Sequence, residues 1–218
     1  MAELVTIPIS IFEFAVEYER PDFKFWADRS SVVQDVFDAL KPWEPRLDDL
    51  DAVATGKASE RGFTIKLPVK RVSFFFGPAS CRCTRENMDW QLADETIAIV
   101  DAVLTALIRS SRVAMGPKNT AISLHLQPRS RPFVELLTPF IAPPLAALDS
   151  EPVTATAAVA RWAHRKVTID GSAALANAIY LRFEREFPSA AGYDEIASQL
   201  RKDEEDLFRI LGVEEDRG

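Results

Sequence analysis

The stretch TIDGSAALANAIYLRFERE, residues 168–186, places an Asp-Gly pair between two runs of alternating apolar and polar residues. Asp-Gly is favoured in two-residue type I′ turns, because the twist of that turn matches the twist of antiparallel strands. If Asp170 and Gly171 form such a turn, Ile169 lies opposite Ser172. The alternation on both sides then predicts a hairpin with one buried and one solvated face.

This turn would determine which side chains share a face of the hairpin. Trp162 would lie opposite Ile179, and His164 would lie opposite Asn177. Since the Ile179 face is apolar, His164 and Asn177 are predicted to be buried polar groups. They are either a hydrogen-bonded core pair or the polar groups of a ligand pocket. The opposite face is predicted to be solvated or to bind a partner, and it contains Arg161, Arg165, Tyr180, Arg182, Glu184 and Glu186.

Hydrophobic periodicity predicts strands and helices along the rest of the chain. The N-terminal strand changes its apolar phase near Ser10–Phe12, which predicts a β-bulge there. Apolar residues at helical spacing predict four helices, one of which is interrupted by prolines. The helices are predicted within residues 30–43, 89–111, 130–148 and 193–211, hairpins within 51–67 and 71–86, and a half-buried strand within 119–128.

The order of these elements predicts an α+β fold with a mainly antiparallel sheet and helices packed on one face. Two similar β-α-β-β-α modules are expected, residues 1–114 and 115–218, which can also form one compact domain. The duplication is inferred from element order, since the two halves share no repeat at the level of residues.

Composition narrows the classes of partner. The chain has 218 residues, 47% of them hydrophobic and 27% charged, as in a globular protein. Its net charge of −7 repels phosphate backbones, so no nucleic-acid partner is expected. The longest apolar helical run, Thr96–Ile108, is shorter than the about 20 residues of a membrane span. The N-terminal sequence lacks a signal-peptide pattern, so we expect a cytoplasmic protein without a membrane partner.

No recognisable catalytic or cofactor motif is present. The eight glycines are too widely spaced for a dinucleotide fingerprint or a P-loop, and neither G-x-S-x-G nor H-E-x-x-H occurs. With two histidines in the chain, a histidine-rich metal site is not expected. The sequence therefore predicts no catalytic residue, no metal and no cofactor.

Two cysteines and one histidine each have two interpretations. Cys81 and Cys83 share one strand face, as small core residues or, with His125 or His164, as zinc ligands. Their spacing favours the core. His125 lies on the polar side of its strand with Ser123, as a surface histidine or as a general base.

Two further patterns concern the surface. Phe74–Phe76 places three aromatic residues in one strand, which indicates either an exposed interface or a strand buried on both faces. The acidic run Lys202–Phe208 is predicted to be a solvated helix face.

Element order also resembles the gyrase-inhibitor-like effector-binding fold. The matching parts are ISIFEFAVEYE and SSVVQDVFDAL in the first half, and TAISLHLQP and ALANAIYLRFERE in the second. That family consists of two β-α-β-β modules whose sheets meet around a cleft, and many members bind small apolar or cationic molecules. The resemblance implies a ligand site in such a cleft. No family ligand-binding residue is carried over, because no family motif is present.

We therefore expect a binding or interaction protein that holds a small molecule in a cleft between modules. A cofactor-free hydrolase or isomerase using a histidine and a carboxylate is the alternative. A third hypothesis is self-association into a homo-oligomer through the polar sheet face or the Phe74–Phe76 strand. The residues predicted to line a ligand site are Trp162, His164, Asn177, Tyr180 and Glu17.

Overall fold

The computed structural model describes residues 2–22, 29–53, 61–87, 93–140 and 157–216. Within these ranges the chain forms ten strands and four α-helices, which confirms the α+β prediction. In chain order they are β1 (Glu3–Tyr18), α1 (Arg29–Ala39), β2 (Leu50–Val53), β3 (Gly62–Leu67), β4 (Val72–Phe76), β5 (Ser80–Glu86), α2 (Ala93–Ser111), β6 (Met115–Pro128), α3 (Phe133–Leu137), β7 (Ala157–Arg161), β8 (Arg165–Gly171), β9 (Ile179–Phe187), α4 (Tyr193–Leu211) and β10 (Val213–Glu215). Four short 3-10 turns accompany them, at Lys41–Trp43, Leu47–Asp49, Pro68–Lys70 and Thr138–Phe140.

The described strands belong to one sheet in the order β2-β3-β4-β5-β1-β6-β9-β8-β7, and β10 pairs with β1. The predicted hairpins β2–β3 and β4–β5 form and are antiparallel. The strands β7, β8 and β9 form an antiparallel meander. The pairing of β10 with β1, which aligns Glu3 with Val213, is parallel. Part of the β2–β3 connection, residues 54–60, lies outside the described ranges.

Contacts between Cα atoms divide the chain into two compact units. Unit 1 comprises Met1–Ile11, Ala121–Arg185 and Gln199–Gly218, and unit 2 comprises Phe12–Thr120 and Glu186–Ser198. The strands β1, β6 and β9 and the helix α4 therefore contribute residues to both units. Duplication of one module on either side of residue 114 stays a prediction.

The core of unit 2 is rich in phenylalanine. Its β-strands contribute Phe12, Phe14, Phe63, Phe74 and Phe76, each of which is at most 1% exposed. The rings of Phe63 and Phe76 stack with their centroids 4.5 Å apart. The helices α1 and α2 pack against each other in the same unit.

The Phe74–Phe76 run lies inside this core instead of at an edge. Phe74 and Phe76 are buried on one side of β4, and Phe75 is half-buried on the other. Since β3 and β5 pair with the two edges of β4, neither edge is open to a partner strand. The run is therefore better explained by burial than by an exposed interface.

The core of unit 1 lies between the inner faces of its strands and the apolar stripe of α4. The inner face of β8 and β9 contains Ile169, Leu181 and Phe183, which are at most 4% exposed. Leu200 and Leu207 cover the core from α4. The predicted end of this helix is confirmed, because Gly212 adopts a left-handed φ of 65° directly after it.

One residue of the acidic run departs from the prediction of a solvated helix face. Asp203 is 2% exposed, because it lies on the buried side of α4 between Leu200 and Leu207. It is compensated by Arg185, whose Nε and a second nitrogen each lie 2.6 Å from a carboxylate oxygen. For Asp203 the prediction is therefore wrong.

The predicted Asp-Gly turn is also wrong. The strand β8 continues through Gly171, so that Asp170 pairs with Tyr180 and Gly171 pairs with Ile179. The chain reverses over residues 172–178 instead, and the N–H of Ser172 donates to the carbonyl of Ala178 at 2.8 Å. The longer connection keeps the apolar residues of both strands on one buried face.

This connection satisfies the conformational needs of a turn with residues other than Asp-Gly. The Ser172 Oγ accepts hydrogen bonds from the N–H groups of Ala174 at 3.2 Å and Leu175 at 3.0 Å. Asn177 adopts a left-handed φ of 48°, a conformation that the two central residues of a type I′ turn also require. Serine and asparagine are suited to these two roles.

The shifted register also changes the positions of Trp162 and His164. The hairpin β7–β8 turns at Trp162–Arg165, where the N–H of Trp162 donates to the carbonyl of Arg165 at 2.7 Å. Trp162 is 51% exposed, and His164 and Asn177 are also exposed. The predicted buried pairs Trp162–Ile179 and His164–Asn177 do not form, since Ile179 lies opposite Gly171.

The phase change predicted in β1 occurs closer to the N-terminus than expected. At the start of the strand an odd-numbered residue, Val5, is buried. Further along, the even-numbered residues Ser10, Phe12 and Phe14 are buried. The strand runs without interruption from Glu3 to Tyr18. The buried face therefore changes between Val5 and Ser10.

None of the described helices is long and apolar enough to cross a membrane.

Candidate functional site

A cavity of about 410 Å³ lies within unit 1, beside the loop that replaces the predicted Asp-Gly turn. We call it the His125 cavity. It is formed where β6 and β9 meet the end of β8, and its lining residues are His125, Asp170, Gly171, Ala173, Ala174 and Tyr180.

The ring of His125 is oriented by Ser172. The Nδ1 atom of His125 lies 2.8 Å from the Ser172 Oγ. That oxygen already accepts two backbone N–H groups, which occupy both of its lone pairs. Its own proton is therefore donated to Nδ1, and the neutral imidazole carries its proton on Nε2.

Partial burial fixes the charge of this imidazole. Desolvation lowers the pKa of His125 below its ordinary value, because burial disfavours the charged form. His125 is therefore neutral at pH 7. In this state its Nε2–H is a hydrogen-bond donor that a ligand in the cavity can use.

Tyr180 provides a second polar group beside His125. The two rings lie with their centroids 5.2 Å apart and their planes tilted by 56°. The Tyr180 hydroxyl is 3.3 Å from the Ser123 Oγ, and one terminal nitrogen of Arg182 donates to that same oxygen at 2.9 Å. Because the Arg182 guanidinium only donates, the Ser123 hydroxyl can donate its own hydrogen bond to the Tyr180 oxygen. The Tyr180 hydroxyl can then donate to a ligand.

A small network of charges supports Arg182. Its Nε donates to a Glu184 oxygen at 3.3 Å, and the Lys166 Nζ lies 3.0 Å from the other oxygen. Burial opposes ionisation of Glu184, but the hydrogen bonds and charges of Lys166 and Arg182 outweigh it and lower the pKa of this carboxyl. The network holds the guanidinium in place behind Tyr180.

Asp170 contributes a carboxylate to the wall of the cavity. It is exposed, and its Oδ1 accepts the N–H of Gly171 at 2.7 Å. The cavity therefore contains the Nε2–H of His125, a Tyr180 hydroxyl that can donate or accept, and one carboxylate acceptor. The small side chains of Ala173 and Ala174 complete the lining.

Of the five residues predicted to line a ligand site, Tyr180 lines this cavity. Trp162 instead stacks beneath the Arg165 guanidinium, whose central carbon lies 4.4 Å from the centroid of the Trp162 ring. The Asn177 Oδ1 accepts the N–H of Phe133 at 3.0 Å. His164 is exposed in the β7–β8 connection, and Glu17 is an exposed residue of unit 2.

Ser172, Ser123 and Arg182 are site residues that are not among the five predicted to line a ligand site. One signal for them is the i, i+2 spacing of Ser123 with His125 and of Tyr180 with Arg182, which places each pair on one strand face. The pairing of β6 with β9, which brings the two faces together, has no local sequence signal.

Two larger clefts are lined by residues in the described ranges elsewhere. One, of about 580 Å³, is flanked by Glu204, Glu205, Glu214 and Glu215 in unit 1. The other, of about 440 Å³, lies beside Trp43 in unit 2. Neither has a histidine among its described lining residues. The His125 cavity is the better candidate site because an oriented imidazole and a phenol share its wall.

The cysteines lie in the core of unit 2. Cys81 and Cys83 are free thiols, each 1% exposed. Burial raises the pKa of both thiols, so they are protonated at pH 7. Within the described parts of the chain, no group of three histidine, cysteine, aspartate or glutamate side chains is placed to hold a metal ion.

Comparison with known proteins assigns no relatives. No family model matches the chain, and no curated protein matches it at a significant level. The resemblance to the gyrase-inhibitor-like fold therefore stays a prediction.

Proposed function

We propose that the chain is a binding protein that holds a small organic molecule in the His125 cavity. The observation that carries this proposal is the placement of two polar groups in one wall, the oriented imidazole of His125 and the hydroxyl of Tyr180. A volume of about 410 Å³ is within the range of small-molecule pockets. The proposal uses residues of unit 1 alone.

These two polar groups indicate the chemistry of the ligand. A carbonyl or carboxylate oxygen can accept from both, and the charge of Arg182 behind Tyr180 favours an acceptor with negative charge. The exposed carboxylate of Asp170 suits a hydrogen-bond donor at the other end of the ligand. We therefore propose a small molecule with an acceptor group, a flat or compact body and a donor group.

A cofactor-free hydrolase or isomerase is the second candidate, because His125 and Asp170 line the same cavity. The geometry favours binding over this chemistry. The Ser172 Oγ has no lone pair left for nucleophilic attack, and the Nδ1 lone pair of His125 accepts the Ser172 proton. The two backbone hydrogen bonds to the Ser172 Oγ would have to break before that oxygen could attack a substrate. The hydrogen bond between Ser172 and Nδ1 would have to break before Nδ1 could accept a proton from a substrate.

A binding experiment with point variants tests the proposal. A panel of small aryl carboxylates and ketones with a hydroxyl or amino substituent is screened by thermal shift, and the best compound is titrated by calorimetry. Tyr180→Phe keeps the ring but removes the donor, so the affinity is expected to fall about tenfold. His125→Phe is expected to weaken binding similarly.

His164→Ala is the matched control, because this second histidine is exposed and outside the cavity. It is expected to leave the affinity unchanged. A panel in which no compound raises the melting temperature, or a compound that binds the Tyr180→Phe and His125→Phe variants as tightly as the parent chain, would contradict the proposal. Conversion of a bound compound to product would favour the enzyme alternative.

A further inference from the structure

The strand β7 has an open edge. It pairs with β8 on one side, and among the described residues no strand pairs with its other side. Ala157, Ala160 and Arg161 are exposed, and Val159 is 63% exposed. Soluble proteins commonly protect such edges with lysine, proline or a bulge. The run Ala157–Ala160 contains no charged residue and no proline.

The direction of the backbone groups along β7 follows from the hairpin. The N–H of Trp162 points inward, to the carbonyl of Arg165 at 2.7 Å. Successive residues of an antiparallel strand alternate between inward and outward hydrogen bonding. The N–H and C=O groups of Arg161, Val159 and Ala157 therefore point to the open side.

We propose that β7 pairs with β7 of a second copy of this chain, antiparallel and about a two-fold axis at Val159. In this register Val159 lies opposite Val159, and Ala157 lies opposite Arg161. These are the residues whose backbone groups point outward, so each pair exchanges both of its hydrogen bonds. The inference goes beyond the proposed function and does not depend on it.

The side chains of the edge are complementary to themselves in this register. Within one chain, Ala157 lies beside Asp170 of β8, and Arg161 lies beside Lys166. In the dimer, Arg161 of the second copy would extend over the small Ala157 side chain toward Asp170. Arg161 keeps Lys166 as its neighbour within its own chain and gains a neighbour of opposite charge across the interface, and this occurs twice by symmetry.

Burial of apolar surface favours the same arrangement. The two Val159 side chains would meet at the axis and remove each other from water. No like charges lie directly opposite each other in the paired strands. A strand from an unrelated protein would need to supply both the apolar centre and the terminal cation that β7 itself supplies.

Sedimentation equilibrium of the full chain tests the proposal. The parent chain is expected to show a reversible equilibrium between monomer and dimer. Val159→Lys places two cations at the axis and is expected to yield a monomer. Arg161→Asp is expected to weaken the dimer about tenfold, and the double change Arg161→Asp with Asp170→Arg is expected to restore it.

The control is Val69→Lys, which changes a valine of unit 2 that is 89% exposed and outside β7. It is expected to dimerise like the parent chain. A parent chain that stays monomeric up to about 1 mM would overturn the proposal. A dimer that survives Val159→Lys unchanged would overturn it as well. Circular dichroism establishes that each variant is folded, and the charge-swapped pair tests the interface without the lysine.

Discussion

Asp203 is a buried residue whose acidic sequence neighbours indicated a solvated position. It lies in an acidic run, but the spacing of Ile196, Leu200, Leu207 and Leu211 places position 203 on the same buried stripe of the helix. A charge in that position needs a partner that lies far away in sequence. Arg185 of β9 is that partner, and no local sequence pattern predicts the ion pair between Arg185 and Asp203.

Replacing Asp203 tests the value of this buried ion pair. Asp203→Asn removes the charge that Arg185 and Arg165 contact, and we expect it to lower the free energy of unfolding by about 3 kcal/mol. Asp206→Asn is the control, since the pair between Asp206 and Arg209 is exposed to water and worth less than about 1 kcal/mol. Urea unfolding measures both. Equal effects of the two variants would contradict a special role for Asp203.

Glu3 links the stability of the chain to pH. Its side chain is 5% exposed and accepts the N–H and O–H of Ser130 at 2.7 and 2.6 Å, with Arg131 as a further donor. The Ser130 hydrogen bonds, and then those of Arg131, lower its pKa from 4.5 to about 2. The folded pKa is below the unfolded one, so this stabilisation is present above pH 4.5 and is lost as the pH falls through about 2.

Glu3→Gln should therefore be less stable than the parent chain at pH 7, with the difference shrinking as the pH falls toward 2. Thermal unfolding between these pH values measures the difference. Glu17→Gln, at an exposed position, is the control and should be about as stable as the parent chain at pH 7. A difference that stays constant down to pH 2 would mean that Glu3 ionises as readily when folded as when unfolded.

At the scale of elements, alternation and helical spacing predicted the strands and helices because each pattern is local. The Asp-Gly turn failed because its preference is also local, while the register of β8 and β9 is determined by packing. The observed register pairs Ile169 with Leu181 and Val167 with Phe183, and all four are buried. Burial of those side chains outweighs the conformational preference of one dipeptide.

Gly62 shows where strand packing leaves no room for a side chain. A Cβ atom at this position in β3 would clash with the backbone carbonyl oxygen of Phe76. We expect Gly62→Ala to lower the free energy of unfolding by about 3 kcal/mol, because backbone atoms must move. Gly192→Ala is the control, because nothing lies within 4 Å of its added carbon, and as a change at the N-cap of α4 it should cost no more than about 1 kcal/mol. Guanidinium unfolding compares the two, and a harmless Gly62→Ala would contradict the close contact.

At the scale of the whole molecule, the location of the candidate site could not be predicted. From the sequence, Tyr180 was predicted to line a ligand site, and a general base was one of two interpretations of His125. The proximity of these two residues depends on β6 and β9 being neighbours in the sheet. The strands are separated by residues 129–178, which include β7 and β8. Their pairing is a global property of the sheet, for which the sequence contains only the alternation of each strand.

Shared elements predict that the two units unfold together. Since β1, β6, β9 and α4 contribute to both units, loss of one unit removes structure from the other. Leu104→Ala in unit 2 and Leu181→Ala in unit 1 should each cost about 3 kcal/mol and shift the same single transition in calorimetry. Two transitions, each shifted by one variant alone, would show that the units are independent.

The central claim is that a small molecule binds beside the neutral imidazole of His125. The chain has two histidines, so nuclear magnetic resonance of ¹⁵N-labelled imidazoles resolves His125 and provides His164 as an internal reference. We predict that His125 carries its proton on Nε2 at pH 7, and that titration with the aryl carboxylate and ketone panel shifts the His125 signals while the His164 signals stay fixed. A charged His125 at pH 7, or a panel that leaves the His125 signals unmoved, would contradict the account.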